Sequence, residues 1–105
     1  MKRDEEKGFD PNDYPALREF LASYLHEDFA EEYESAGEAV KEFLLEASGD
    51  EIQDVRDEWM RLRKVLADRP FIDVHSALSR LGAAWQPANE AEWNSVDEIL
   101  SGTQA

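Results

Sequence analysis

The chain has 105 residues, 42% apolar and 34% charged, with 25 acidic and 11 basic side chains and a formal charge of −14. That length suits one small domain with a single core, and the apolar share excludes a wholly disordered chain. The acidic excess argues against direct contact with nucleic acid or anionic membrane, which need basic patches. The lack of cysteine excludes disulfides, Cys-based zinc sites and a thiol nucleophile.

Met1-Lys2-Arg3 runs into Asp4-Glu5-Glu6 rather than into an apolar run, so no signal peptide is expected. Residues 1–13 are polar, charged and broken by Gly8 and Pro11; they read as a flexible N-terminal tail, with a helical domain over 14–105. Pro15 suits the first turn of a helix. Leu17, Phe20, Leu21, Tyr24 and Leu25 then recur at helical spacing, which predicts a first helix from Pro15 to Leu25. His26 to Ser35 is a polar connection, with Phe29 and Tyr33 as anchors into the core.

Ser35 with Glu38 three residues on is a capping-box signature. Val40, Phe43, Leu44 and Ala47 share one face of the helix that follows, over Ala36 to Ala47. Ser48 with Glu51 repeats the signature and opens a third helix, from Gly49 to about Asp68. Its residues Ile52, Val55, Trp59, Leu62 and Leu66 form the seam of a bundle helix. Acids crowd its first half, and Arg61, Arg63, Lys64 and Arg69 its end, an order that suits the helix dipole. Pro70 closes it. Asp73 is expected to cap a fourth helix carrying Val74, Ala77, Leu78 and Leu81 and ending at Gly82. Trp59, Trp85 and Trp93 sit among core-type positions and read as core; Trp85, in the connection that follows and beside Pro87, is also kept as a candidate surface anchor. Asn89 with Glu92 is expected to cap a last helix bearing Trp93, Val96, Ile99 and Leu100, ended by Gly102. No useful length alternates with period two. The expected fold is all-α, a single small bundle of about five helices.

The longest apolar stretches are about three residues, against the roughly 20 needed to span a bilayer; the expectation is a soluble, cytoplasmic protein. No phosphate-binding glycine loop, nucleophile elbow or EF-hand loop is present. Neither His26 nor His75 follows a Glu by three residues, so the di-iron bundle pattern is missing. His26 beside Glu27 and Asp28 reads better as a polar anchor at a helix end than as a metal ligand. No catalytic residue, metal or cofactor is expected, and the chain reads as a non-enzyme.

The remaining signal is acid. Glu27, Asp28, Glu31, Glu32 and Glu34 occur with no basic residue among them, and Glu38, Glu42 and Glu46 continue the row at four-residue steps. Like charges at that spacing destabilise a helix slightly. A solvated surface that keeps the protein soluble is one account of the pattern. A docking face for a basic protein is the other, with Glu27, Asp28, Glu31, Glu32, Tyr33, Glu34, Glu38 and Glu42 as candidate partner-binding residues and Tyr33 as a buried anchor. Complementary charge raises on-rate and specificity.

Pro15-Ala16-Leu17-Arg18-Glu19-Phe20-Leu21, then Tyr24-Leu25-His26-Glu27-Asp28-Phe29, then Ser35-Ala36, Ala39-Val40 and Phe43-Leu44, resembles the start of the contact-dependent growth inhibition immunity proteins, the CdiI family. There a pattern close to tyrosine-aromatic-His-Gln-Asp-Trp occupies this place. Leu25 and Phe29 stand here for the aromatics and Glu27 for the Gln. The similarity runs more loosely through Leu78, Leu81-Gly82 and Trp93, over about Tyr14 to Leu100. It implies a small helical protein that binds and blocks the toxic C-terminal domain of a matching CdiA-type effector, often a nuclease; taken with the acidic row, the expectation is one-to-one occlusion of a cationic toxin. Tyr24, His26, Asp28 and Phe29 carry the family pattern, which serves either fold or binding. The rival reading is an acidic adaptor for a basic cellular protein.

Overall fold

A computed structural model describes residues 10–101. Residues 1–9 of the expected tail, and Gly102, lie outside the described residues. A 3-10 turn at Pro11–Asp13 is capped by the Asp10 side chain, which accepts from the Asn12 N–H at 3.0 Å. The helices follow in order: α1 (Pro15–Tyr24), α2 (Phe29–Glu32), α3 (Ala36–Glu46), α4 (Gly49–Leu66), α5 (Ile72–Arg80) and α6 (Glu90–Ser101). Among the described residues there is no strand. The protein is all-α, with five helices of more than two turns and the single turn α2 inside the expected polar connection.

Local chemistry explains most of the boundaries. Ser48 and Glu51 form the full reciprocal box at the start of α4: Ser48 Oγ accepts from the Glu51 N–H, and Glu51 Oε1 accepts from the Ser48 N–H, both at 3.2 Å. At α3 only half of the expected box forms. Ser35 Oγ accepts from the Glu38 N–H at 3.2 Å, while the Glu38 carboxylate turns to Lys41 at 3.4 Å. The expected Asp73 cap is also corrected. α5 starts two residues earlier than that cap implies, after Phe71, which makes no side-chain cap. Asp73 instead lies in the first turn and faces Arg69 at 3.8 Å. Gly82, at φ 95°, adopts the left-handed conformation that ends α5.

α3 packs along α6 and α1 along α4, and the α1–α3 and α4–α6 contacts close the bundle. The α3–α6 approach is tight at Gly37, where a Cβ would stand 3.1 Å from Ile99 Cδ1. Leu17, Leu21, Val40, Trp59, Leu62, Leu78 and Leu100 are fully buried, as the periodicity predicts. Phe20 and Phe43 join α1 to α3 with ring centroids 4.6 Å apart, and Trp59 meets Trp93 at 4.9 Å.

Trp85 is not a surface anchor. It is 3% exposed, and its indole N–H donates to Glu92 Oε2 at 3.0 Å. Residues 83–87 lie outside any helix and alternate in burial: Ala83, Trp85 and Pro87 are buried while Ala84 and Gln86 are exposed. The Ala84 N–H donates to the Leu25 carbonyl at 3.0 Å, and His75 Nε2 lies 2.7 Å from the Pro87 carbonyl, which pins this strap across the end of α1. Glu92 also accepts from the Ala88 N–H at 2.8 Å, and Asn89 Oδ1 accepts from the Glu92 N–H at 2.9 Å, as expected of the α6 cap.

One acid works inside the fold. Glu58 is buried on α4, and its Oε1 accepts from the Leu17 N–H at 2.7 Å. That N–H belongs to the first turn of α1, whose own Tyr14 cap supplies no side-chain acceptor. Glu58 therefore caps α1 from a neighbouring helix. One turn on, the Arg61 guanidinium lies 5.0 Å from the Tyr14 ring centre and donates to the Asp13 carbonyl at 3.0 Å. No helix among the described residues is long and apolar enough to cross a membrane.

Candidate functional site

The expected docking residues lie on three consecutive pieces of chain. Glu27 and Asp28 are exposed in the turn between α1 and α2. The Asp28 N–H donates to His26 Nδ1 at 3.0 Å, so in the neutral ring the proton sits on Nε2. That Nε2 stands 3.7 Å from Glu32 on α2. The pair closes the turn locally. Glu31 and Glu32 are exposed on α2, held by the Tyr33 N–H donating to the Phe29 carbonyl at 2.8 Å. Glu34 is exposed in the link to α3. Glu38 is exposed and Glu42 half-buried on α3, and Lys41 between them is the one basic residue from 27 to 46.

Tyr33 is half-buried against the protein's own core, so only part of its ring faces outward. Burial pushes its hydroxyl up from the ordinary value, and the charges of Glu32, Glu42 and Glu46 push the same way. The fold therefore brings Tyr33, Glu32 and Glu42 within electrostatic reach of one another. Glu27, Glu31 and Glu34 make no ion pair among the described residues.

Two residues outside the expected set complete this edge. Tyr24, at the end of α1, meets the Phe43 ring edge to face and donates its hydroxyl to Glu46 Oε1 at 2.7 Å. That hydrogen bond, then burial and the Glu46 charge, push Tyr24 up to about 12. The same bond holds the Glu46 carboxyl below the usual range, helped by a hydrogen bond with Glu42. Glu42 is held above the usual range by that bond and by the Glu46 charge. Glu42 and Glu46 thus behave as one pair in which Glu42 takes the first proton. Glu46 was legible as the end of the four-residue acidic row, but its tyrosine partner lies 22 positions away and needs the α1–α3 packing to be seen.

Leu45, 81% exposed, projects from the outer side of α3 beside these acids. Among the described residues, no group of His, Asp and Glu is placed to hold a metal ion. The arrangement offers carboxylates to a cation. No curated protein and no solved structure matches the chain. The sequence pattern of the family described as CdiI immunity protein matches residues 13–95, from the turn before α1 to the middle of α6. The match takes in every candidate docking residue and most of the bundle, and on that extent the chain belongs to the CdiI immunity protein family.

Proposed function

We propose that this immunity protein neutralises the C-terminal toxin domain of its matching contact-dependent growth inhibition effector by occupying a cationic surface on it, one molecule to one, in the cytoplasm and without catalysis. Glu27, Asp28, Glu31, Glu32, Glu34, Glu38 and Glu42 meet lysines and arginines of the toxin, and the outward part of Tyr33 packs between them. A nuclease is the toxin class that fits best, because a surface that holds phosphate is cationic. An acidic face can crowd such a surface without doing any chemistry.

The observation that carries this reading is the state of the acids. Seven of them are exposed or half-exposed over 27–42, with a single lysine among them. The fold gains little from most of these charges, so they are held for something outside it. A stable complex should bury about 800 Å² on each partner.

Charge reversal at Glu34, Glu38 and Glu42 tests it. The triple variant should lose toxin affinity on the order of 100-fold, mostly through charge complementarity at the interface. Its circular dichroism should match the parent. Association of the parent should slow steeply between low and physiological salt. Unchanged affinity in the reversed variant would remove this face from the interface.

A further inference from the structure

A second surface has the opposite chemistry. Arg63, Lys64 and Arg69 place three of the chain's 11 basic residues in the last turn of α4 and just beyond it. Two clefts open there. One, of about 320 Å³, runs between Arg63, Leu66, Arg69, Phe71, Val74 and Trp93. The other, of about 370 Å³, lies between Met60, Arg63, Lys64, Ala67 and Asp97. They share Arg63 and Ala67 as a common wall.

That wall is fixed in place. Arg63 lies over the Trp93 ring at 5.5 Å and pairs with Asp97 at 3.4 Å. Asp97 in turn accepts the Trp59 indole N–H at 2.6 Å. Lys64 makes no ion pair among the described residues. Three large apolar side chains are exposed among the described residues. Two of them flank this region: Met60 at 54% and Ile72, next to Phe71, at 62%. A small strongly acidic protein that needed only solubility would not gather its cations, its clefts and its exposed apolar side chains at one place.

We propose that this double cleft is a second docking surface, and that it takes an acidic segment of the toxin bearing a large apolar side chain. The proposal rests on the toxin being the partner, but it does not depend on the acidic face being the contact. The apolar side chain fits among Leu66, Phe71, Val74 and Trp93, and the segment's carboxylates face Lys64, Arg63 and Arg69. A nucleic acid backbone is a poor occupant. Glu90 and Asp97 stand in the same walls, and the few cations fall short of the roughly 6–10 phosphate contacts of a typical site. Two anchor points of opposite sign also fix orientation, since a toxin docked the wrong way round meets like charge at both.

The test measures binding of the full-length protein to the toxin domain encoded with it. Ala67→Arg fills the shared wall, and Lys64→Glu reverses the unpaired cation. Both positions are exposed, so helical content and melting temperature should hold. Each variant should weaken toxin binding about tenfold or more, as loss of an interface anchor does, and Lys64→Arg should restore it. Unchanged affinity in Ala67→Arg and Lys64→Glu, with loss in the triple reversal at Glu34, Glu38 and Glu42, overturns this proposal and keeps the acidic face. The reverse pattern keeps the cleft and overturns the acidic face. Parent protein that fails to bind the toxin overturns both. Self-association of the parent in sedimentation that Ala67→Arg abolishes gives the cleft to a second copy, and overturns the toxin segment as its occupant.

Discussion

The acidic edge on α2 and α3 and the cationic clefts beside α4 and α6 treat charge in opposite ways. On the edge, charges stand in water. Glu27, Glu31 and Glu34 find no ion pair among the described residues, and Glu38 has only its lysine neighbour one turn on. At the clefts the arginine is built in: Arg63 is held by Trp93, Asp97 and Asn94. Charges left in solvent contribute little to a fold, while a charge tied to a buried indole contributes to it directly. Charge on the edge is therefore available for a partner, while at the clefts Arg63 is committed to the core and Lys64, without an ion pair among the described residues, is not.

The largest effect on stability should come from acids that do not belong to the acidic edge. Glu58→Ala removes the acceptor for the Leu17 N–H in a buried site and should cost about 1–3 kcal/mol by denaturant unfolding, the penalty of an orphaned buried donor. Asp97→Ala strands the indole N–H of fully buried Trp59 and should fall in the same range of about 1–3 kcal/mol. Asp97→Asn keeps an acceptor and should lose less. By contrast Glu31→Ala and Glu34→Ala should stay within about 0.5 kcal/mol of the parent, as exposed substitutions usually do. If those two destabilise as much as Glu58→Ala, the division between committed and available charge is wrong.

The sequence made the bundle legible wherever one helix decides its own form. The apolar stripes over 17–25 and 52–66 and the Ser48–Glu51 box are short-range patterns, and they placed α1 and α4 to within a residue or two. The single turn α2 carries no stripe because four residues are too few for a period. Asp73 looked like a cap, but Phe71 already takes helical dihedrals and the Asp73 N–H donates to the Pro70 carbonyl at 2.9 Å, so the helix begins upstream. Trp85 reads as core by its type but stays open as a surface anchor, because the five residues 83–87 give too brief an alternation to decide it. Glu58 had a signal: it falls on the Val55–Leu62 seam, where an acid needs a buried donor. What stayed out of reach needed two helices at once, namely the bond from Tyr24 to Glu46 and the cleft walls joining α4 to α6.

A smaller effect separates the acidic edge from the start of α1 by their tyrosines. All three phenols are pushed above the ordinary value of 10.0, for different reasons. Tyr14 rises through burial, which the neighbouring Arg61 guanidinium opposes while Asp13 and Glu58 assist. Tyr24 and Tyr33 have only acids beside them, and Tyr24 reaches about 12. A raised folded value favours the neutral phenol, so its contribution is complete below 10.0 and is lost as pH rises through the folded value. Alkaline titration followed by phenolate absorbance should therefore show no native tyrosine ionising at its ordinary value, and Tyr24→Phe should delete the highest step. Tyr24→Phe also frees Glu46 from the bond that lowers it. The stability which Glu46 contributes above the usual carboxylate range, and loses as pH falls, should then shrink. The raised Glu42 works in the other sense, contributing at low pH and losing that as pH rises, so the acid limb moves less than the alkaline one. Added salt should lower Tyr24 and Tyr33 by screening their acids. Tyr14, balanced between Arg61 and two acids, should move least; if it shifts as far as Tyr33, the two ends of the molecule do not differ in field.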